Sequence, residues 1–591
     1  MVRLLLIALL TLLGCGDESG SSSTSLAHRW QPVELTCDVP VIDENPFDQQ
    51  GQTVQLEIQP PATASYRIDA FVTRNYERSL VGGYEHLAPT SDLEWRARFT
   101  PTEEGTWQWR CVTRSDQNEQ PGSWQRLRVG GPEPDSHGFL RRSKRDRRYL
   151  EFDDSTPFFA VGENLCWYDG RGTFAYDDWI EQLAARRVNY IRLWMPSWAF
   201  GLEWITRGEG GAVLSSSLGN YETRLDRAWQ LDAVIELARR QGIQVMLAIQ
   251  NHGAFSLSSN SEWVDNPYNA ANGGPLDSPR EFFSNPQARE LFKRRLRYIV
   301  ARWGYATNLL AWELWNEVDL AEQPAIDEVL GWHTEMADHL RALDPYDHLI
   351  STSTSQADAL NPGSPFGALW ALPGIDFSQV HFYSFGGAAV DFTQVFPRAV
   401  NRLRRYAKPV LIAEAGVDFR GPAETIESDP NGDGFHDLLW AAPFAGAFGS
   451  GMSWWWDNVV DPLDLDTQLG PLAQLLEGID FPAEDIAVES STTTASDGRP
   501  LKVFVLRGRT TAVAWIKNSD HLWHSPDLQP VASSDVFLDG LASGPWSGFW
   551  LDSFSGETTP AAAEGGDEGG AVVRVPSFVK DVALRLERSP E

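Results

Sequence analysis

LLAWELWNE (309–317) is a nearly unbroken apolar run that ends abruptly in an amide and a carboxylate, Asn316 and Glu317. A run this short, bounded by polar residues, reads as a strand buried on both faces. PVLIAEAG (409–416) repeats the pattern and carries Glu414 near its end. Further candidates are FFAVGENL (158–165), VNYIRLWM (188–195), IQVMLAIQ (243–250), HLIST (348–352), VHFYS (380–384) and GMSWWWD (451–457). Helical signals lie between them, in DDWIEQLAARR (177–187), LDAVIELARRQG (231–242) and ARELFKRRLRYIVARWG (288–304). Apolar strands each followed by a helix or a long loop predict the α/β class, as a parallel (β/α)8 TIM barrel over 137–480. A doubly wound open sheet is the alternative. No G-x-G-x-x-G follows the first strand, which counts against it.

On either side the periodicity changes to that of short β-strands. In residues 28–132 these are VELTCDV (33–39), TVQLEIQ (53–59), YRIDAFVT (66–73), WRARFT (95–100), WQWRCVT (107–113) and WQRLRV (124–129). Pro, Gly and Asp cluster between them, and a β-sandwich is the natural outcome. GGPEPDSHG (130–138) marks its boundary, and the basic run RRSKRDRR (141–148) reads as a solvated linker or hairpin. Residues 485–591 read as a second, smaller sandwich with strands LKVFVLRG (501–508), TAVAWIKN (511–518), GFWLDSF (548–554) and AVVRVPS (571–577). AAAEGGDEGG (561–570) is expected to be a mobile loop.

The first residues bear on the compartment. Arg3 precedes LLLIALLTLL (4–13), too short to span a bilayer as a stable helix but suited to a secretory signal over 1–15. Its ending, LLGC, resembles the bacterial lipoprotein box, which implies lipidation of Cys15. The alternative is a plain signal peptide with a chance cysteine. Residues 16–27, beginning GDESGSSSTS, then form a polar tether, and the expected location is the bacterial cell envelope, anchored by lipid at the outer membrane or cell surface. In an oxidising compartment Cys37 and Cys111 make a plausible disulfide, although strand adjacency is not readable; Cys166 reads as a buried thiol. The formal net charge of -32 argues against a nucleic-acid partner. The 25 Trp and 29 Phe weakly favour carbohydrate handling, because flat aromatic platforms stack on sugar rings. Nothing indicates an oligomeric state.

Polar residues gather where a barrel places its active site, at the C-terminal ends of the strands. These are Glu163 and Asn164 on strand one, Arg192 on strand two, Asn251 and His252 after strand three, and Asn316 and Glu317 on strand four. Strand six holds His381 and Tyr383, strand seven Glu414, and strand eight Trp455 and Trp456 before Asp457. Strands four and seven face each other across the barrel, so Glu317 and Glu414 can converge on one sugar ring. Hydrolysis of a glycosidic bond needs one carboxyl group to protonate the leaving oxygen and another to meet the developing oxocarbenium ion. Glu313, one layer deeper, reads as a buried partner for a cation.

With these residues in view, LLAWELWNEV (309–318) and LIAEAG (411–416) resemble the strand-four and strand-seven motifs of clan A glycoside hydrolases, cellulases and mannanases among them. The resemblance covers about 160–460. It implies that Glu317 is the general acid/base, Glu414 the nucleophile, and Asn316 a ligand of the sugar 2-hydroxyl. It also implies that Arg192, His381, Tyr383 and a strand-eight Trp, with Trp455 preferred to Trp456, line the −1 site. ENPF (44–47) and RFTPTEEGTWQW (98–109) resemble a β-sandwich of unassigned function that precedes many such barrels, and the C-terminal tail resembles the small sandwich that ends them. The expectation is a retaining hydrolase of β-linked poly- or oligosaccharides, of β-mannan or β-glucan type. In this reading Glu317 has a raised pKa and Glu414 stays ionised. No cofactor and no metal are expected, since no Cys or His spacing suggests zinc. DPNGDGFHD (429–437) resembles the start of a calcium loop, but its twelfth position is Trp440, and a turn that caps a helix explains the same residues. The rival reading is a surface glycan-binding lipoprotein whose barrel does not catalyse.

Overall fold

The computed structural model describes residues 10–12 and 25–589, apart from 49, 116–117, 323–324, 356–360, 362, 385–389, 524, 526–527 and 567–568. Cys15 and most of the stretch read as a signal and tether lie outside the described residues. Among the described residues no helix is long and apolar enough to cross a membrane.

The barrel strands are Gly162–Asn164, Tyr190–Trp194, Gln244–Ala248, Leu309–Glu313, Leu349–Ser351, Ser378–Tyr383 and Val410–Gly416, and each paired neighbour runs parallel. A bridge from Thr354 to Val380 joins the fifth strand to the sixth. The eighth position departs from expectation. GMSWWWD is not a continuous strand; single parallel bridges, Ala415 to Ser453 and Ala160 to Gly449, close the ring. Trp455 takes a left-handed conformation (φ 62°), and the chain turns into a short π-type helix, Trp456–Val460. Side chains buried on both faces explain why these strands read as apolar runs instead of alternating. The helices Thr173–Ala185, Leu225–Arg240 and Pro286–Trp303 cover the outside.

The N-terminal strands form two sheets. Val33–Cys37, Glu94–Phe99 and Phe71–Thr73 lie in one, with Leu10–Leu12 parallel to Val33–Leu35 at its edge. Gly105–Ser115 is flanked by Thr53–Gln59 and Gln125–Gly130 in the other. YRIDAFVT proves to be two strands, Tyr66–Asp69 and Phe71–Thr73, which enter different sheets. A disulfide between Cys37 and Cys111 ties the sheets together, with Cα atoms 5.8 Å apart. This sandwich docks on the barrel through charge. Arg98 donates to both oxygens of Asp232 (2.9 and 3.0 Å), Arg302 bonds the same carboxylate at 3.0 and 2.7 Å, and Glu34 takes the remaining edge of Arg98 at 2.7 Å. All four side chains are buried, so the attraction is little screened and each charge is compensated.

The basic run 141–148 sits in a hairpin between Leu140–Arg142 and Leu150–Phe152. The C-terminal sandwich has a sheet in the order Ala487–Thr494, Pro500–Arg507, Thr511–Asn518, Asp581–Arg588, Gly544–Leu551, Thr558–Gly565, and a second sheet of Ser534–Asp539 with Gly570–Val575. The first half of the segment expected to be a mobile loop, 561–565, is instead part of an edge strand paired with Gly544–Leu551. Alanine and glycine carry little strand signal, and here backbone pairing decides. Helix Asp433–Ala445 is buried against this domain: His436 bonds Asp581 at 3.1 Å, and the Lys517 ammonium bonds Asp437 at 2.5 Å and His521 at 2.9 Å. Lys517 thus supplies the positive charge among Asp437, His521 and Asp581, acidic and imidazole groups close enough together for a metal ion. The 429–437 segment behaves as a cap. Asp429 accepts from the Phe435 N–H at 3.0 Å, and Asp433 is tied to Lys580.

Candidate active site

The strand ends open onto a cleft of about 690 Å³. Trp167, Trp194, Trp198, Trp454, Trp455 and Phe419 give it apolar walls, and Glu317, Glu414 and Glu262 present carboxylates to it.

Glu317 is held by backbone strain and a local hydrogen bond. It takes a left-handed conformation (φ 50°, ψ 57°), unusual for a residue with a Cβ, and its N–H donates to Ser353 Oγ at 2.9 Å. Such strain costs about 1–3 kcal/mol and persists where the surroundings over-determine it. Glu414 leaves the seventh strand facing Tyr383, whose hydroxyl donates to it at 2.5 Å, and Arg192, whose Nη1 lies 3.1 Å away. His381 Nδ1 stands between the two carboxylates, 2.9 Å from Glu317 and 3.3 Å from Glu414. One oxygen of each carboxylate and one His381 nitrogen lie within 4.8 Å of one another. By distance alone those groups could hold an ion, but the Arg192 guanidinium already supplies positive charge beside Glu414. The spacing fits the roughly 5–5.5 Å of a nucleophilic pair and is too short for the roughly 6.5–9.5 Å that admits a water between them.

Arg192 organises the floor. Fully buried, it forks onto Glu313 at 2.7 and 2.8 Å and reaches Asn316 at 2.6 Å and Asn164 at 3.2 Å. Asn316 donates in turn to His252 Nδ1 at 3.1 Å, and Asn251 donates to Glu262 at 2.5 Å. Of the residues expected in the site, Glu317, Glu414, Tyr383, Trp455, Asn251 and His252 line the cleft. Arg192, Asn316 and His381 lie beneath it, fully buried, and act on the lining residues. Trp456 is buried and faces away, among Glu163, Trp179 and Asp461. Glu163 points outward from its strand into that same space, one residue out of phase with Asn164. Asp457 bonds the neighbouring Asn458 at 2.7 Å.

The resting charge distribution differs from expectation. Burial and the Glu317 charge hold the Glu414 carboxyl above its usual range, against the pull of His381, Arg192 and Tyr383. Glu317 pays a similar desolvation cost, yet the His381 hydrogen bond and the charges of His381, His252 and Arg192 hold it below the usual range. His381, despite burial, is raised by Glu414 and Glu317. The imidazole that touches both carboxylates thus favours the ionised form of Glu317 and is itself favoured in its charged form by the pair. Tyr383 is raised well above its ordinary value by burial and the Glu414 charge, so it remains a donor.

Sequence reasoning missed Trp167, Trp194, Trp198, Trp454 and Glu262. All but Trp194 lie beyond strand ends, in segments without periodicity, and the only available signal was the density of tryptophan in them.

Two carboxylates at nucleophilic spacing on the C-terminal face of a parallel barrel define a retaining glycosidase, an enzyme that hydrolyses O-glycosyl bonds. Residues 153–431 match the family described as Cellulase (glycosyl hydrolase family 5), and the barrel is that of a clan A glycoside hydrolase. Residues 27–114 match a domain of unknown function, DUF5060. Among curated relatives, mannan endo-1,4-beta-mannosidase 1 of Oryza sativa subsp. japonica is 29% identical over 313 residues, 46% of this chain and 67% of the relative. Mannan endo-1,4-beta-mannosidase 7 of Arabidopsis thaliana is 28% identical over 254 residues, 38% of this chain and 57% of the relative. A solved structure of a candidate glycoside hydrolase from Bacteroides vulgatus ATCC 8482 covers 96% of this chain and all of its own, with a TM-score of 0.61 at 14% identity. At that identity the likeness is one of fold.

Proposed function

We propose that this protein hydrolyses β-1,4-mannan within the chain by double displacement, with Glu317 as acid/base and Glu414 as nucleophile. The observation that carries the mechanism is the contact of both carboxylates with one imidazole nitrogen. When a pyranose enters, Glu414 attacks the anomeric carbon while its second oxygen stays bonded to Tyr383 or Arg192. His381 passes its Nδ1 proton to Glu317, which delivers it to the leaving oxygen as the bond breaks. In the second step Glu317 takes a proton from water, the water oxygen attacks the same carbon, and Glu414 is released as a carboxylate. His252, which lines the cleft beside Glu317 and is held from below by Asn316, engages the sugar hydroxyl next to the reacting carbon.

The relatives named above support mannan as the substrate. Internal cleavage is supported by the aromatic walls. Trp198 and Phe419, 44% and 49% exposed, sit on the loops after strands two and seven and line the same cleft as the carboxylate pair. A chain stacked on both would run across the carboxylate pair. The test is hydrolysis of β-mannan, β-glucan, xylan and galactan with product lengths recorded. Mixed mannooligosaccharides are expected at early times; release of single sugars only, or preference for another backbone, overturns the substrate assignment. We also propose that the chain is anchored through a lipid on Cys15, a reading supported by LLGC and the polar tether after it.

A further inference from the structure

The N-terminal sandwich sends out a hairpin, Tyr76–Val81 and Tyr84–Pro89, that pairs with itself and with neither sheet of its own domain. It lies against the segment 166–173, CWYDGRGT, which links the first barrel strand to helix Thr173–Ala185 and carries Trp167 into the cleft. That helix starts poorly on its own. Its N-cap is Gly172 (φ 61°), no side chain of the local sequence caps it, and its first turn holds no acid. Glu85 of the hairpin does this work from another domain. Its carboxylate accepts from the Thr173 N–H at 3.1 Å and from the Thr173 hydroxyl, and its negative charge faces the positive end of the helix dipole. A Cβ on Gly172 would stand 2.1 Å from Glu85 Oε2, so glycine is required both for the left-handed turn and for this approach.

Other contacts fasten the same segment. Arg78 bonds Asp177 at 2.7 Å and the Thr173 hydroxyl at 3.0 Å, and it stacks 4.1 Å above the Phe174 ring. The Glu85 N–H donates to Gly170 O at 3.4 Å, and the Tyr84 ring lies 3.0 Å from where a Gly170 Cβ would be. Gln230 relays the hold inward, donating to Glu85 while its oxygen accepts from the Tyr168 hydroxyl at 2.9 Å. Tyr168 adjoins Trp167, whose ring meets Trp194, Trp198, Trp454 and Trp456 at centroid distances of 5.6, 5.2, 5.6 and 4.7 Å. The aromatic wall of the cleft thus turns on a residue whose own segment is clamped from outside the barrel.

We propose that the N-terminal sandwich is part of the active-site frame, with Glu85 and Arg78 as positioning residues that set Trp167 for binding the glycan chain. The functional half of this proposal rests on the glycosidase reading above; the structural half does not. The test is therefore double. Hydrogen exchange over 166–180 in Glu85→Ala, and in the milder Glu85→Gln, reads the clamp without any substrate. Faster exchange there, with the rest of the barrel unchanged, is expected; unchanged exchange overturns the proposal. On polysaccharide, Glu85→Ala should raise KM about tenfold with kcat little affected, the mark of lost uniform binding. Glu85→Gln, which keeps one acceptor for the helix N-terminus, should recover part of that loss. Trp167→Ala should raise KM similarly, and adding Glu85→Ala to it should add nothing further. Full additivity, or a fall in kcat alone, overturns the assignment of Glu85 to Trp167. Faster exchange in Glu85→Ala, together with a wild-type protein that cleaves no glycan, would leave the frame standing and sink the glycosidase reading instead.

Discussion

Arg192→Met separates what the buried guanidinium does for the fold from what it does for the reaction. Arg192 and Glu313 are both fully buried and share two hydrogen bonds of 2.7 and 2.8 Å. Methionine fills similar space but leaves Glu313 as an uncompensated buried charge, which costs about 3–5 kcal/mol. That is a large part of the roughly 5–15 kcal/mol that holds a domain together. The substitution also removes the contacts to Glu414 and Asn316, at 3.1 and 2.6 Å. Hydrogen bonds to charged groups are worth about 1.5–3 kcal/mol each. If both are strengthened in the transition state, kcat/KM falls about 10²- to 10⁴-fold, at about 1.36 kcal/mol per decade. Adding Glu313→Leu removes the stranded charge and should return most of the stability without the activity. The assays are urea unfolding for stability and initial rates on mannan for function. Activity returning together with stability in the double variant would refute the catalytic half of the argument. A single variant destabilised by under about 1 kcal/mol would refute the electrostatic half.

Other outcomes follow from the same geometry. Glu317→Ala should keep much of its first step on a dinitrophenyl β-mannoside, whose leaving group needs no proton, yet fail on mannan, and azide should restore turnover of the trapped intermediate. Asp232 is held far below the ordinary carboxylate range: burial opposes this, but Arg302 and Arg98 outweigh it. Its contribution is therefore complete above the unfolded value of about 3.9 and is lost as pH falls below it toward the folded value. Urea midpoints should drop between pH 5 and 2 more steeply in wild type than in Asp232→Asn, and equal slopes would contradict the interface account. Cys15→Ser should move the protein from the membrane fraction to the soluble fraction or leave it unprocessed; unchanged fractionation with no lipid on the N-terminal peptide would refute anchoring.

The barrel and its carboxylate pair were legible because parallel strands buried on both faces leave apolar runs, and in 309–317 and 409–416 those runs carry a glutamate at or near the end. Polar residues where a buried strand stops have few structural reasons to be there, and this pointed to Arg192, His381 and Tyr383 as well. The chain is harder to read where tertiary contact overrides local pattern. YERSLVGGYEHLAP (76–89) has no buried face of its own, so its pairing and its role at Thr173 leave no periodicity to detect. Residues 561–565 belong to a strand although their composition suggests a loop. GMSWWWD resembles a strand, yet the left-handed turn at Trp455 ends it and sends Trp455 and Trp456 to different sides. The opposite directions in which the two carboxyl pKa values move were out of reach too, because they depend on which carboxylate stands closer to His381.

The central claim is that Glu414 forms a covalent bond with the sugar. A 2-deoxy-2-fluoro β-mannoside with a dinitrophenyl leaving group slows the second step more than it slows loss of the leaving group, so the intermediate should accumulate. Mass spectrometry of the digested protein should find one fluorosugar on the peptide carrying Glu414, with none in Glu414→Gln. A label on any other residue, or release of product of inverted configuration with no labelled protein, would contradict the account.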